Sequence, residues 1–260
     1  MSSKIKTVFI TGCSSGIGLV SAKGLRERGY HVIAGCRKPD DYERLIQLGF
    51  DTVLIDMNDS SSIKNAVKQV LLLCNGTLFA LFNNAGFGVY GSLVSISRSQ
   101  LESQFSTNLF GVHELTRLLL PAILSQGNGR IIQTSSIMGF ISTPGRGAYA
   151  ASKYALEAWS DALRLELHNT GVKVCLIEPG PINTKFTCNV NQTEQNQRVE
   201  NPPIAKRFAL PPDAILSSLY HALESRSPKV RYRITLVTKV SAFLKRMLPD
   251  KLMDLILKNK

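Results

Sequence analysis

The sequence predicts an α/β fold: a parallel sheet of about seven strands with helices on both faces. Two observations carry that reading. Short apolar, β-rich runs alternate with longer helical patterns along the chain, and near-continuous apolar strands between helices belong to parallel sheets covered on both sides. The first run also leads straight into a glycine-rich turn and a helix, the local unit of a doubly wound sheet.

The elements follow in order. "TVFIT" (7–11) is the first strand, and "LVSAKGLRERG" after the glycines reads as the first helix. "HVIAGC" (31–36), "TVLID" (52–56) and "LFALFN" (78–83) give the next three strands. "SQLESQFSTNLFGVHELTRLLLPAIL" is a long helical pattern, followed by a fifth strand at "RIIQTSS" (130–136). "AYAASKYALEAW" (148–159) reads as helix, "VKVCLIEP" (172–179) as the sixth strand and "RYRITLV" (231–237) as a seventh. Region 185–212 is polar and holds four prolines, so it is expected to leave the sheet as a substrate lid. Val240, Phe243, Leu244, Met247 and Leu248 fall on one helical face of a basic tail spanning 239–260.

Length and composition bound the function. With 260 residues, 44% of them hydrophobic and 19% charged, the chain suits one globular domain spanning 1–260. No linker, repeat or low-complexity block divides it. No apolar run reaches membrane-spanning length, and "MSSKIKTVFITG" lacks the core and cleavage site of a signal peptide, so a cytoplasmic location is expected. Cys13, Cys36, Cys74, Cys175 and Cys188 are scattered, as are the four histidines, which predicts neither a disulfide framework nor a metal site.

The formal charge is +12. Much of the excess lies in the tail, where residues 226–260 carry ten Lys/Arg against Asp250 and Asp254. A tail helix docked near a substrate mouth is the preferred reading, with peripheral contact to anionic lipid as the alternative. Nucleic-acid binding is not expected, because no helix-turn-helix or zinc pattern accompanies the charge.

"TGCSSGIG" follows the first strand. Gly12, Gly16 and Gly18 let the backbone turn and approach a pyrophosphate, and the following helix offers its N-terminus to that charge. Glycines also mark ordinary strand–helix turns, but this position favours a dinucleotide. At the end of the second strand an acid would hydrogen-bond the adenosine ribose. The chain has Cys36 and Arg37 there, with no acid and a cation able to fork a 2′-phosphate. NADP(H) is therefore expected over NAD(H), unless Arg37 is simply solvated.

Tyr149 and Lys153 stand one helical turn apart. Reduction of a carbonyl places negative charge on its oxygen, so a proton donor must stand close. A phenol titrates near pH 10, and a neighbouring Lys⁺ is expected to lower that value. Ser136, at the end of the fifth strand, is placed to hold the carbonyl. A YxxxK string also recurs by chance on ordinary helices.

Taken together, "TGCSSGIG", "NNAG" (83–86), Asn108 in "STNLFG", Ser136, "YAASK" (149–153) and "PGPINT" (179–184) resemble the short-chain dehydrogenase/reductase family, in its order and spacing. The resemblance implies a Rossmann-type doubly wound sheet and assigns roles. Tyr149 would be the general acid/base, Lys153 its tuner and a ribose ligand, Ser136 the substrate anchor, and Asn108 the holder of a relaying water. The cofactor would be bound by Gly12, Ser14, Ser15, Gly16, Ile17 and Gly18, by Arg37, by Asp56 and Met57 at the adenine, and by Asn83, Ala85 and Gly86 beside it. Pro179, Gly180, Ile182 and Thr184 would cradle the nicotinamide end.

The tail and "EPGPINTKF" resemble the hydroxysteroid and retinol dehydrogenase-like branch. That implies a lipophilic aldehyde, ketone or alcohol as substrate, with Phe87, Tyr90, Phe140 and Phe186 as candidate pocket walls. Helical patterns at 100–125 and 149–168, which commonly pair across a twofold axis in the family, imply a homodimer or tetramer. The function expected is NADP(H)-dependent interconversion of a carbonyl and an alcohol. The alternative is a non-catalytic NADP(H)-binding regulator on the same fold.

Overall fold

The computed structural model describes residues 5–186 and 207–258. Its strands are β1 (Thr7–Ile10), β2 (His31–Cys36), β3 (Asp51–Leu54), β4 (Ala80–Asn83), β5 (Arg130–Thr134), β6 (Lys173–Glu178) and β7 (Arg231–Arg233). They form one parallel sheet in the order β3-β2-β1-β4-β5-β6-β7. The winding reverses between β1 and β4, where Val8 pairs with both Val32 and Ala80. At such a switch point the following loops diverge and leave a crevice beyond the strand ends.

Alternation along the strands explains why they read as continuous apolar runs. Phe9, Ile33 and Val53 face one side, packed with α3 (Ser60–Leu73), α5 (Gly111–Leu124) and α6 (Gly147–Glu166) through Ile63, Leu115 and Leu156. Val8, Ile10 and Ala34 face the other, against α1 (Gly16–Glu27), α2 (Pro39–Gln47) and α7 (Leu216–Glu224) through Leu25, Leu45 and Leu219. Both faces are therefore dry, as a parallel sheet requires.

Every strand except β2 is shorter than its apolar run, and at three of them the difference bears on the site or the tail. Ile55 and Asp56 leave the ladder after β3, and Ser135 and Ser136 leave it after β5, to border the crevice. The seventh run splits: only Arg231–Arg233 is strand, and "LV" at its end opens α8 (Leu236–Met247). Thr235 makes the switch, its hydroxyl accepting from Thr238 N as an N-cap. The long helical pattern is also two helices, α4 (Arg98–Phe105) and α5, joined by a π-turn over Ser106–Phe110. Such turns are frequent at functional sites.

The tail forms α8 and, after Pro249, α9 (Asp250–Leu257). It does dock on the body, but not by the face expected. Leu244 and Leu248 pack inward with Val237, whereas Val240, Phe243 and Met247 stay exposed. The substrate lid expected at 185–212 falls mainly at 187–206, outside the described residues. At its ends, Asn183 N donates to Leu210 O (2.9 Å), bringing 207–210 back beside "PGPINT".

Candidate active site

A cavity of about 1540 Å³ opens at the carboxyl edge of the sheet and runs from the glycine turn to the tail helices. Its first end is built mostly from backbone. Gly12 sits at φ +75, and a Cβ there would lie 2.9 Å from Ala85 Cα, so a side chain would push the two loops apart. Gly18 is closer still: its Cβ would meet Gly12 O at 2.2 Å. Gly18 therefore seats α1 on the turn and does not itself border the cavity, whereas Gly12, Ser14, Ser15, Gly16 and Ile17 do. Helix α1 has neither a side-chain cap at Ser15 nor an acid in its first turn. Its positive dipole end is thus left to an anion.

Arg37 borders the cavity together with Cys36 and Lys38. Arg44 joins them, donating to Ser14 O and to Asp41 Oδ1 (2.7 Å). Sequence reasoning missed Arg44. The available signal was Pro39, which starts a helix right after β2 and turns its second turn back over the glycine loop. Asp56 and Met57 also border the cavity, with Asp56 Oδ1 accepting from Asn58 N (2.9 Å).

Within "NNAG" the two asparagines diverge. Asn83 turns to α5 and donates to Thr116 Oγ1 (3.0 Å), so it stays off the cavity wall. Asn84 faces the cavity, accepts from Thr134 Oγ1 (3.2 Å) and donates to Thr11 O (3.0 Å). Thr11 Oγ1 in turn accepts from Asn84 N and Ala85 N (3.0 and 2.9 Å), clamping that strand to the glycine turn. Ala85 and Gly86 complete this wall.

Ser136, Tyr149 and Lys153 converge at the middle of the cavity, all buried. Helix α6 carries the last two, and Arg231 anchors α6 to the sheet edge by donating to Glu157 Oε2 (2.9 Å) and Asp161 Oδ2 (2.7 Å). Lys153 Nζ lies 5.8 Å from the Tyr149 ring centre and donates to Thr134 O (2.7 Å). Asn108 stands behind this group. Its Oδ1 accepts from Phe87 N (3.1 Å), and its Nδ2 donates to Phe87 O (3.0 Å) and Ser152 Oγ (3.1 Å). It braces the loop after Gly86 against α6 and does not border the cavity.

The electrostatics differ from expectation. Burial pushes the Tyr149 phenol well above its ordinary range, with Tyr90 adding to the rise and the Ser136 hydroxyl and Arg146 opposing it. Burial pushes Lys153 down to about 8, with Glu157 opposing. The lowered phenol expected from a neighbouring cation is not found. Tyr149 sits between Tyr90 and Phe186, with ring centres 5.9 and 5.6 Å away, and the Lys153 ammonium is turned to Thr134 O. Desolvation outweighs the charge.

Pro179, Gly180, Ile182 and Thr184 line the next stretch. Pro179 O accepts from Ile137 N (2.8 Å), tying this loop to the turn that carries Ser136. Beyond them the wall becomes apolar. Phe87, Tyr90, Met138, Ile141, Phe186 and Phe208 lead to Val237, Leu244, Met253 and Leu257 of the tail. Phe140 is absent from this wall; it packs behind it, under Arg233. Among the described residues no group of His, Cys, Asp or Glu is arranged to hold a metal.

This arrangement, an anion-ready turn joined through a buried Ser–Tyr–Lys cluster to an apolar chamber, is that of a nucleotide-dependent oxidoreductase. Residues 6–195 match the short chain dehydrogenase family, and the chain belongs to it. It is 60% identical to the uncharacterized oxidoreductase YbbO of Escherichia coli (strain K12) over 97% of this chain and 94% of that one. It is 32% identical to retinol dehydrogenase 5 of Homo sapiens over 96% of this chain and 87% of that one, in keeping with the branch read from the tail. A short chain dehydrogenase from Burkholderia cenocepacia, solved in complex with NADP, superposes with a TM-score of 0.81 at 23% identity, covering 99% of each chain.

Proposed function

We propose that this oxidoreductase uses NADP(H) to interconvert a lipophilic aldehyde or ketone and its alcohol. One observation carries the reading: Ser136, Tyr149 and Lys153 stand where a polar, glycine-built half of the cavity meets an apolar half. The retinol named for one relative and the NADP bound in one structural neighbour are consistent with those two halves.

The polar half fits the cofactor. A Cβ at Gly12 would fill the close approach to Ala85, the N-terminus of α1 is free of acids, and Arg37, Lys38 and Arg44 gather where a 2′-phosphate would lie. NADPH would supply the hydride. Ser136 holds the carbonyl oxygen by hydrogen bond, and Tyr149 gives its hydroxyl proton to that oxygen as negative charge develops. A phenol kept protonated by burial is the donor that reduction requires. Lys153 stabilises the phenolate left behind and replaces its bond to Thr134 O with one to the ribose. The apolar walls exclude water from the developing charge.

Assembly follows the same reading. Leu101, Phe110, Tyr154 and Leu165 are exposed on or beside helices α4 to α6, which supports pairing into a homodimer or tetramer. Light scattering at micromolar concentration tests it, and a lone monomer counts against it.

The test of function is a screen of aldehydes, ketones, steroids and retinoids with NADPH, following nicotinamide absorbance. Reduction of apolar carbonyls, lost in Tyr149→Phe, is the expected result. Tight NADPH binding with no turnover on any class favours the regulator.

A further inference from the structure

We infer that α8 and α9 form a docking surface for an anionic lipid bilayer, and that lipophilic substrate enters the cavity from it. The tail helices have two apolar faces, and only one is used by the fold. Val237, Leu244, Leu248, Met253 and Leu257 pack against Tyr90, Met138, Ile141 and Tyr149. The other face is exposed. On α8 it consists of Leu236, Val240, Phe243 and Met247, spaced four, three and four residues apart along one stripe, at 63%, 47%, 64% and 63% exposure. On α9, which packs on α8, Leu252, Leu255 and Ile256 are exposed too. A solvated helix keeps its apolar residues off the outward face, whereas this one exposes four of them between its cations.

Charge selects the occupant. Lys239, Lys245, Arg246 and Lys251 are exposed on the same two helices and Lys258 just after them, against Asp250 and Asp254. Lys245 is paired with Asp250 at 3.1 Å, so four cations stand against one remaining carboxylate. A second copy of the chain would bring cation against cation, whereas an anionic lipid surface complements them. Helices that carry apolar side chains between exposed lysines and arginines are the form that lies in a bilayer interface.

The surface is continuous with the cavity. Leu236, Val240 and Ile256 belong to both, being exposed outward and bordering the cavity inward. Behind them Leu244, Met253 and Leu257 continue the apolar lining toward Tyr149. A lipophilic carbonyl leaving a bilayer would meet apolar side chains from the outer stripe, through Leu236, Val240 and Ile256 at the rim, to the phenol. The route rests on the substrate class proposed above; the surface does not.

The test is co-sedimentation of the full-length protein with vesicles of phosphatidylglycerol and phosphatidylethanolamine, and with neutral phosphatidylcholine vesicles. Wild type pellets with the anionic vesicles, less so at high salt, and weakly with the neutral ones. Phe243→Glu with Met247→Glu reduces the anionic partition by about a hundredfold, and Arg246→Glu with Lys251→Glu by at least about tenfold. None of these four residues borders the cavity, so turnover of a short water-soluble aldehyde is unchanged in both variants, while turnover of a long-chain aldehyde presented in vesicles falls. Wild type remaining in the supernatant with anionic vesicles overturns the surface. A wild-type dimer that Phe243→Glu with Met247→Glu splits, without vesicle binding, replaces lipid with a second copy. Vesicle binding without turnover of any carbonyl keeps the surface and removes the substrate reading alone.

Discussion

The two ends of the cavity are made in opposite ways. The nucleotide end uses backbone, short polar side chains and glycines, packed so closely that a methyl at Gly18 would lie 2.2 Å from Gly12 O. The tail end uses long apolar side chains on two helices, several of them half open to solvent. The first surface suits a ligand of one fixed shape. The second has few directional groups, and its affinity scales with apolar area, which suits substrates that vary in length. Tyr149 stands between the two and belongs to both: its hydroxyl faces Ser136, and its ring packs on Tyr90 and Phe186.

The largest break in this comparison falls at that junction. Tyr149→Phe keeps the ring packing and removes the proton, so kcat is expected to fall by about 10²–10⁴-fold while NADPH binding by fluorescence stays near wild type. Near-normal kcat on the best substrate reassigns the acid.

Lys153 comes next. Its folded value of about 8 lies below its ordinary 10.5. Between those values the unfolded chain holds more protons than the folded one, so stability rises with pH through that window and is reduced below it. The expected gain is roughly 3 kcal/mol for this buried group. Lys153→Met removes the slope. Thermal melts of the cofactor-free protein at pH 7 and pH 10 read it as a Tm gap that changes in wild type's favour at the higher pH. Parallel shifts in the two proteins contradict the depressed lysine.

A smaller effect separates the two ends. If Arg37 holds the 2′-phosphate as proposed, Cys36→Asp with Arg37→Ala is expected to lower the preference for NADPH over NADH by about ten- to a hundredfold, the value of a charge-assisted contact of about 1.5–3 kcal/mol. KM for the carbonyl should not move. Equal wild-type kcat/KM with the two cofactors removes Arg37 from the phosphate site.

The smallest lies at the tail. Val240→Thr exchanges a half-exposed methyl for a hydroxyl, and KM for a long aliphatic aldehyde should rise about two- to fivefold. A short aldehyde and NADPH should be unaffected. An equal rise for short and long aldehydes places Val240 outside the substrate path.

Much of the nucleotide end was legible in the residues themselves, because its chemistry is local. The glycine turn, Arg37 after the second strand and the Tyr149–Lys153 turn of helix are each specified by neighbours in the chain. The strand order, the asparagine that faces the cavity and the partner of Arg44 were not. Asn83 and Asn84 look alike in sequence. Pleat alternation and the position of Thr116 decide which one turns to α5 and which to the cavity.

Periodicity and short spacings encode the parallel sheet, the anion-ready turn and the phenol beside a lysine. Tertiary structure alone decided the phenol's state and the tail's orientation. Burial raises Tyr149 although Lys153, one helical turn on, predicts the reverse, because desolvation depends on Tyr90 and Phe186, which are distant in the chain. The apolar residues of α8 satisfy helical periodicity on more than one face. Only the position of Tyr90, Met138 and Ile141 beneath it selects Leu244 for the core and leaves Phe243 and Met247 outside.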